Sequence, residues 1–424
     1  MPVLTDLGTA CYHAGIRLAA SFTPKAKAWI DGRTGLWGRL EQRRDALRGC
    51  LWMHCASVGE FEQGRPVLEA IKRERPDLPV LLTFFSPSGY EARKDFPLAT
   101  HVDYLPADTA ANARRFMELV QPGTVLWVKY EFWYHHLHAT KTKRIPTFLI
   151  SAIFRPGQPF FRWYGSAWRR MLGCFTHLFV QDERSRTLLA AVGTTNVTVG
   201  GDTRFDRVKA IVEEASSQGE GGGIAGAFRN NHPAIVLGST WPEDEELFLA
   251  AYARLDRKPK LIIAPHELRE DQLLAIEARF PKPLVRWSEL EDTTTANIRA
   301  TLGQEAIGTL LVDRMGLLAG LYAHGDVAYV GGGFGDGIHS LLEAAAWGRP
   351  VIFGPNHRRF LEAQAMIDAG AGFEVRTKEQ LADLLGLAFH DPAMIENASR
   401  AAATFVKERS GATQVVVRSI LEQR

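Results

Sequence analysis

Short runs of apolar and β-branched residues alternate along the chain with longer stretches whose apolar positions recur every three or four residues. The runs fall at residues 51–55, 80–85, 102–105, 125–130, 147–151 and 178–181, and helical stretches such as 109–120 and 182–192 lie between them. A run that is apolar throughout, too short for a helix and without alternation, suits a strand buried on both faces. Repeated between helical periods, it predicts a parallel sheet covered on both sides. The pattern pauses after Val199. Residues 213–226 contain SSQGEGGGIAG, whose small residues can bury little, so they read as a linker or surface loop. Apolar runs resume at 234–237, 260–264, 309–312, 327–330 and 351–353, followed by helical stretches such as 243–255 and 315–324. Val415, Val416 and Ile420 predict a final helix that docks on the body. The expectation is an α/β chain of two doubly wound domains: residues 1–210, a linker at 211–233, a second domain at 234–408 and a C-terminal helix at 409–424. Two such domains in series leave a crevice between the carboxyl ends of their sheets, the edge at which open α/β sheets bind ligands.

A length of 424 residues agrees with two domains, and 46% hydrophobic with 23% charged residues is the composition of a folded core. Fifty basic and 48 acidic side chains leave a net charge of +2, which gives no basic field for nucleic acid. Cys11, Cys50, Cys55 and Cys174 lack the paired spacing of a zinc site and read as reduced and cytoplasmic. Near the start, the longest charge-free stretch is 7–16, which fits neither a signal peptide nor a spanning helix. Leu7, Cys11, Leu18 and Phe22 nevertheless share one helical face, with Arg17, Lys25 and Lys27 nearby. Such a face either packs on the domain or lies on an anionic bilayer. PFFRWYGSAWRRM, residues 159–171, interleaves aromatics with Arg162, Arg169 and Arg170, either as a lipid-phosphate surface or as a half-buried helix with solvated arginines.

Chemistry is expected in the loops after strands. In WMHCASVGEFEQGRP, Ser57 and Gly59 turn the backbone and Glu60 opens a helix, as a carboxylate at the ligand edge or as an acid complementing the helix dipole. KYEFWYHH sets Lys129 and Glu131 beside Phe132 and Trp133, an arrangement that carbohydrate sites favour and that a helix start with buried aromatics also explains. In GGDTRFDRV, Arg204 stands between Asp202 and Asp206, either as a phosphate clamp or within a solvated charge cluster. LGSTWPEDEE places Ser239 and Thr240 where loop amides can face a phosphate or where a helix is simply capped. APHELRED brings Pro265, His266 and Glu267 to the same edge, where the histidine is either functional or structural. Residues 329–360 crowd Gly331, Gly332, Gly333, Gly335 and Gly337 into one loop, either for a tight turn or for a ligand. His339, Ser340 and Glu343 then open a helix whose positive end can hold a phosphate, with Glu343 placed to bond a ribose. The dinucleotide register of G-x-G-x-x-G is missing, as are a strand-end D-x-D pair and a His/Cys cluster, so neither NAD, a catalytic metal nor another cofactor is expected.

In order, the blocks HCASVGE, KYEFW, GDTRFD, GSTWPEDE, APHE, DRMGLLAGLYAHGDVAYVGGGFG and GIHSLLEAAAWGRPVIFGP resemble the Kdo (3-deoxy-D-manno-oct-2-ulosonic acid) transferases, a GT-B glycosyltransferase family, over nearly the whole chain. The resemblance implies two Rossmann-like domains facing each other across a crevice. It also implies inverting transfer of Kdo from CMP-Kdo to the 6′-hydroxyl of the lipid A precursor, at the cytoplasmic face of the bacterial inner membrane. Carried over, Glu60 matches the general base, its pKa raised by a partly desolvated crevice. Ser239, Thr240, Pro265, His266, Met315 and Glu343 match positions lining the nucleotide site, and Glu131 matches one near the transferred sugar. Arg204 and the helix end at 338–343 stand where the leaving phosphate needs positive potential. Two blocks depart from the family. Gly337-Ile338-His339-Ser340 replaces a glycine-His-Asn block, and Arg204-Phe205-Asp206 replaces Lys-Phe-Asp, which keeps charge but changes geometry. The N-terminal segment is less apolar than the family's anchor, implying peripheral attachment. The rival readings are a GT-B transferase or epimerase using a UDP-sugar, and a two-domain protein that closes on its ligand without chemistry.

Overall fold

A strand buried at all five positions needs a layer of helices on each face, and β1 shows why. Leu51, Met53 and Cys55 point into one core with Phe61, Val67 and Ile71, while Trp52 points into the other with Phe116 and Trp127. The computed structural model describes residues 2–129, 131–217, 223–304 and 307–422. Tyr130 of the KYEFWYHH motif, the side chain of Leu7 and residues 218–222 of the glycine stretch lie outside the described residues.

The chain forms two compact units, Met1–Arg207 with Ser410–Arg424, and Val208–Arg409. In the first unit β1 (Leu51–Cys55), β2 (Val80–Phe84), β3 (His101–Tyr104), β4 (Thr124–Val128), β5 (Thr147–Ala152), β6 (His177–Val180) and β7 (Val197–Val199) form one sheet in the order β3-β2-β1-β4-β5-β6-β7. The second holds β8 (Ala234–Thr240), β9 (Lys260–Pro265), β10 (Leu284–Arg286), β11 (Thr309–Leu311), β12 (Val327–Val330), β13 (Val351–Phe353) and β14 (Gly372–Glu374), in the order β10-β11-β9-β8-β12-β13-β14. Every pairing is parallel, and both orders run outward from the first strand in two directions, the doubly wound Rossmann-like topology.

Four expectations change in detail. The edge strands β10 and β14, three residues each, are too short to stand out as apolar runs. The helical stretch at 315–324 shrinks to Leu318–Leu321 and a 3-10 turn at Tyr322–His324, because Gly316 has a φ of 85°, outside helical space. The segment read as a linker, 211–233, carries the end of the helix Arg204–Ser217 and the helix Ile224–Arg229. In the last helix, Ala412–Glu422, the buried stripe is Val416, Val417 and Ile420, which leaves Val415 exposed.

That last helix belongs to the first unit's core, where Val416, Val417 and Ile420 pack with Phe148 and Phe179. Asp206 fastens its start: the carboxylate accepts from the amides of Gly411 (2.5 Å) and Thr413 (2.7 Å), donors that a helix beginning leaves orphaned. Asp206→Ala is expected to cost about 1–2 kcal/mol. Hydrogen exchange should show faster exchange across Ala412–Glu422 with no change in β8 and β9.

Candidate active site

In each sheet the strand order reverses between two neighbours, β1 with β4 and β8 with β12. Connections leave these pairs toward opposite faces, so the loops part and open a crevice at the carboxyl ends. The loops concerned carry residues 56–60 and 129–133 in the first unit, and residues 239–241 and 331–340 in the second.

In the first unit the helix Val58–Glu74 starts directly after β1. Ser57 is its N-cap residue, yet its hydroxyl makes no cap bond. Glu60 instead turns back from the third helical position, and its Oε2 accepts the amide of Ala56. Gly59 is exposed, and a Cβ there would meet only Ser57 Oγ at 4.0 Å, so the helix opening is bare of side chain. Glu60 is 8% exposed, and burial lifts its pKa to about 7. The amides of Ala56 and Ser57 and the charge of Lys129 pull down, while the charge of Glu131 pushes up. Glu131 is itself raised by burial.

Two cations, one of them acting on Glu60, meet at the neighbouring Gln63. Lys129 leaves β4 with a φ of 68°, and Ser151 at the end of β5 has a φ of 53°, both in the left-handed region that non-glycine residues seldom occupy. Arg204 is ion-paired with Asp202 (2.7 Å). With its amide oxygen turned to the cations, the buried Gln63 accepts from Lys129 Nζ (3.2 Å) and Arg204 Nε (3.3 Å). Thr203 bonds the Gln63 carbonyl and shares a 2.7 Å hydrogen bond with Ser151, tying the β1 helix to the β5 exit. Phe132 and Trp133 precede the helix Tyr134–Thr142 and are half-buried against the core. Trp133 stacks on Phe85 at 4.9 Å.

In the second unit Ser239, with a φ of 52°, ends β8, and Thr240 is buried with its hydroxyl on Glu245 (3.2 Å). His266 follows Pro265 at the end of β9, and its amide donates to the Thr240 carbonyl (3.0 Å). The exposed His266 ring stacks on Trp241 (4.6 Å) and on His339 (4.4 Å). Trp241 Nε1 donates to His339 Nε2 (3.2 Å), which puts the His339 proton on Nδ1, and burial lowers its pKa, with His266 adding to the shift. Met315 is exposed in the loop after β11.

Packing accounts for much of the glycine cluster. A Cβ on Gly333 would lie 2.5 Å from the Gly354 amide nitrogen, and Gly337 has a φ of 134°. The helix expected to open at His339 is also later and shorter. It spans Leu342–Ala346, with Glu343 in its only turn, and Gly348 at a φ of 65° stops it before Pro350. His339 and the exposed Ser340 therefore sit in the loop, and five residues make too short a dipole to hold a phosphate alone. The sequence singled out Glu60, Glu131 and Arg204 but not Gln63, Ser151 or Thr203, whose parts depend on strand exits that meet only in the fold. Among the described residues no three His, Cys, Asp or Glu side chains gather as a metal's ligands would.

A family model described as 3-Deoxy-D-manno-octulosonic-acid transferase (kdotransferase) matches residues 30–207. The chain is 30% identical to the 3-deoxy-D-manno-octulosonic acid transferase of Aquifex aeolicus over 344 residues, 79% of this chain and 84% of that one. Its identity to the enzyme of the same name from Bordetella pertussis is 29% over 401 residues, 89% and 88% of the two chains. Among solved structures, the UDP-GlcNAc 2-epimerase of Neisseria meningitidis bound to UDP-GlcNAc superposes with a TM-score of 0.60 over 88% of this chain and 99% of that one. At 15% identity this is a likeness of fold, the GT-B pairing of Rossmann-like units.

The buried Glu60 carboxyl makes a prediction that needs no substrate. Raised from 4.5 to about 7, it keeps its proton in the folded protein over a window where the unfolded chain has lost it. Stability therefore falls as pH rises from 4.5 to 7, by about 3 kcal/mol in total. Glu60→Gln has no charge to bury, so its stability relative to the unmodified protein should rise by most of that amount between pH 5 and pH 8 in urea unfolding. Parallel curves at both pH values would contradict the shift.

Proposed function

The chain belongs to the 3-deoxy-D-manno-octulosonic acid (Kdo) transferase family, and from that premise we propose that it moves Kdo from CMP-Kdo to a hydroxyl of the lipid A precursor, with Glu60 as general base. The carrying observation is the Glu60 carboxyl at the β1/β4 switch point, its pKa raised to about 7 by burial. A base must be ionised to accept a proton and basic enough to hold it, and a pKa near the working pH serves both needs.

In the proposed reaction the acceptor hydroxyl gives its proton to Glu60 while its oxygen bonds to C2 of Kdo. The bond from C2 to the CMP phosphate oxygen breaks, and its electron pair leaves with CMP. Attack opposite the leaving group inverts C2. Glu131 is the proposed neighbour of the transferred sugar, with Ser57 and Gly59 lining the bare helix opening beside it. On the donor side we assign Ser239, Thr240, Pro265, His266 and Met315 to the nucleotide, the exposed face of His266 offering a stacking surface for the base. Glu343 is assigned to the ribose, and the loop of Gly333, Gly337, His339 and Ser340 to the phosphate. Arg204, shared between Asp202 and Gln63, supplies positive potential for the departing phosphate.

Peripheral attachment to the cytoplasmic face of the inner membrane is part of the same proposal. Leu18, Phe22 and Trp163 are 72%, 80% and 92% exposed, with Lys25, Lys27 and Arg162 exposed beside them. Apolar side chains flanked by cations suit an anionic interface. No helix of the described residues is long and apolar enough to cross a membrane.

With CMP-Kdo and a tetra-acylated lipid A precursor, kcat/KM should climb with unit slope up to about pH 7 and then level, the behaviour of a base that must be ionised. Glu60→Gln should lower kcat by roughly 10²–10⁴-fold and leave KM for CMP-Kdo nearly unchanged. An unimpaired variant would refute the base, and turnover of a UDP-sugar with none of CMP-Kdo would refute the donor.

A further inference from the structure

In the loop after β12 most of the glycine amides are spent inside the protein. Those of Gly335 and Gly337 both donate to the Gly332 carbonyl (3.1 Å each), that of Gly331 donates to Gly238 (2.9 Å), and the His339 amide donates to Gly331 (3.2 Å). The Gly332 amide turns to a side chain, Asp244 (2.8 Å). With these donors taken, polar contact with a ligand falls largely to side chains at the end of the loop, and the orientation of the His339 ring becomes decisive.

Asp244 is the third residue of the helix Pro242–Tyr252 and is 1% exposed. Its Oδ2 accepts both the Gly332 amide and the Trp241 amide (3.0 Å), and its Oδ1 accepts the Tyr329 hydroxyl (3.3 Å). Capping the helix would take the Trp241 amide alone. The bond to Gly332, 88 positions further along, joins the exit of β8 to the exit of β12, the two strands that part at the second switch point. Both partners of the carboxylate then bear on His339. Trp241 Nε1 donates to its Nε2 (3.2 Å), and the ring lies so close to Gly332 that a Cβ there would be 3.2 Å from His339 Cδ2. His266 stacks on the ring at 4.4 Å. An imidazole that accepts at Nε2 carries its proton on Nδ1, which makes Nδ1–H the donor it can offer a phosphate.

Resting on the transferase reading above, we propose that Asp244 is a positioning residue for the donor: acting through Trp241 and Gly332, it fixes the ring of His339 with its proton on Nδ1, kept for the phosphate of CMP-Kdo. A buried carboxylate beneath a phosphate loop repels the ligand's charge, and the two amides that it aligns account for its place there.

The tautomer can be read without any ligand. In the free protein labelled with 15N-histidine, His339 should show the Nδ1–H form, its signals identified by their loss in His339→Gln. Trp241→Phe keeps an aromatic ring and removes the indole donor, and Asp244→Ala removes the acceptor of both amides. Each should move His339 toward the Nε2–H form that imidazole favours in water. Each should also weaken CMP binding and raise KM for CMP-Kdo by about tenfold, with kcat changed by less than about threefold. Asp244→Asn, whose amide oxygen can accept both amides, should keep the Nδ1–H form and bind CMP within about threefold of the unmodified protein. An unshifted tautomer in Asp244→Ala, or Asp244→Asn as impaired as Asp244→Ala, would overturn the proposal. Where Asp244→Ala does not fold, Trp241→Phe decides, and an unshifted tautomer with undiminished CMP affinity overturns it. If the tautomer shifts as expected while the unmodified protein neither binds CMP nor transfers Kdo, the transferase reading fails and the hold of Asp244 on His339 stands.

Discussion

Every strand in both sheets pairs in parallel, and the rest of the structure follows from that constraint. A parallel strand cannot turn back through a hairpin, so each must leave at the same edge and cross over a face. The crossovers bury both faces, which demands the largely apolar runs of β1, β2, β4 and β8. They also gather all strand exits along one rim, and at the point where the winding reverses two exits part. Glu60 and Lys129 stand at one such point and Ser239 and Gly333 at the other because the topology leaves room there.

The rim also stores strain. Lys129 takes left-handed backbone as it leaves β4, and Ser151 and Ser239 do so one residue before the ends of β5 and β8, where the register shifts, at a cost of roughly 1–3 kcal/mol each. Such conformations persist only where the surroundings impose them, and here each sits at the end of a strand with neighbours on both sides. Nothing in the sequence marks them. Lysine and serine have no preference for that region, and a reader of the chain alone sees ordinary loop residues.

That contrast explains which parts were legible. Interior strands announce themselves because double burial forces consecutive apolar residues, and β1 is found to the residue. Edge strands such as β10 and β14 are covered less and carry no such run, and the helix Leu342–Ala346 is cut short by glycine geometry at Gly348 that its apolar neighbours hide. Motif reading succeeds where one segment carries both parts of an interaction, as when Glu60 reaches back to Ala56. It fails where partners come from different strand exits. GGDTRFDRV looks like one charge cluster, but Asp202 and Arg204 pair with each other while Asp206 caps a helix two hundred residues later.

Gln63 shows how much can rest on a residue that reads as unremarkable. A buried carboxyl no longer holds a proton near neutrality if a cation pairs with it, since its pKa then falls. Lys129 is the cation whose charge reaches Glu60, and Arg204 shares Gln63 with it. Gln63, buried and neutral, offers one oxygen to both, and Asp202 takes Arg204. What reaches Glu60 from Lys129 is outweighed by burial, and the carboxyl stays near neutrality. Glutamate at position 63 would bury another negative charge, while leucine would remove the oxygen that both cations meet. An amide is the side chain that holds two cations without adding charge, and this makes the tuning of the Glu60 carboxyl a property of the helix that carries it.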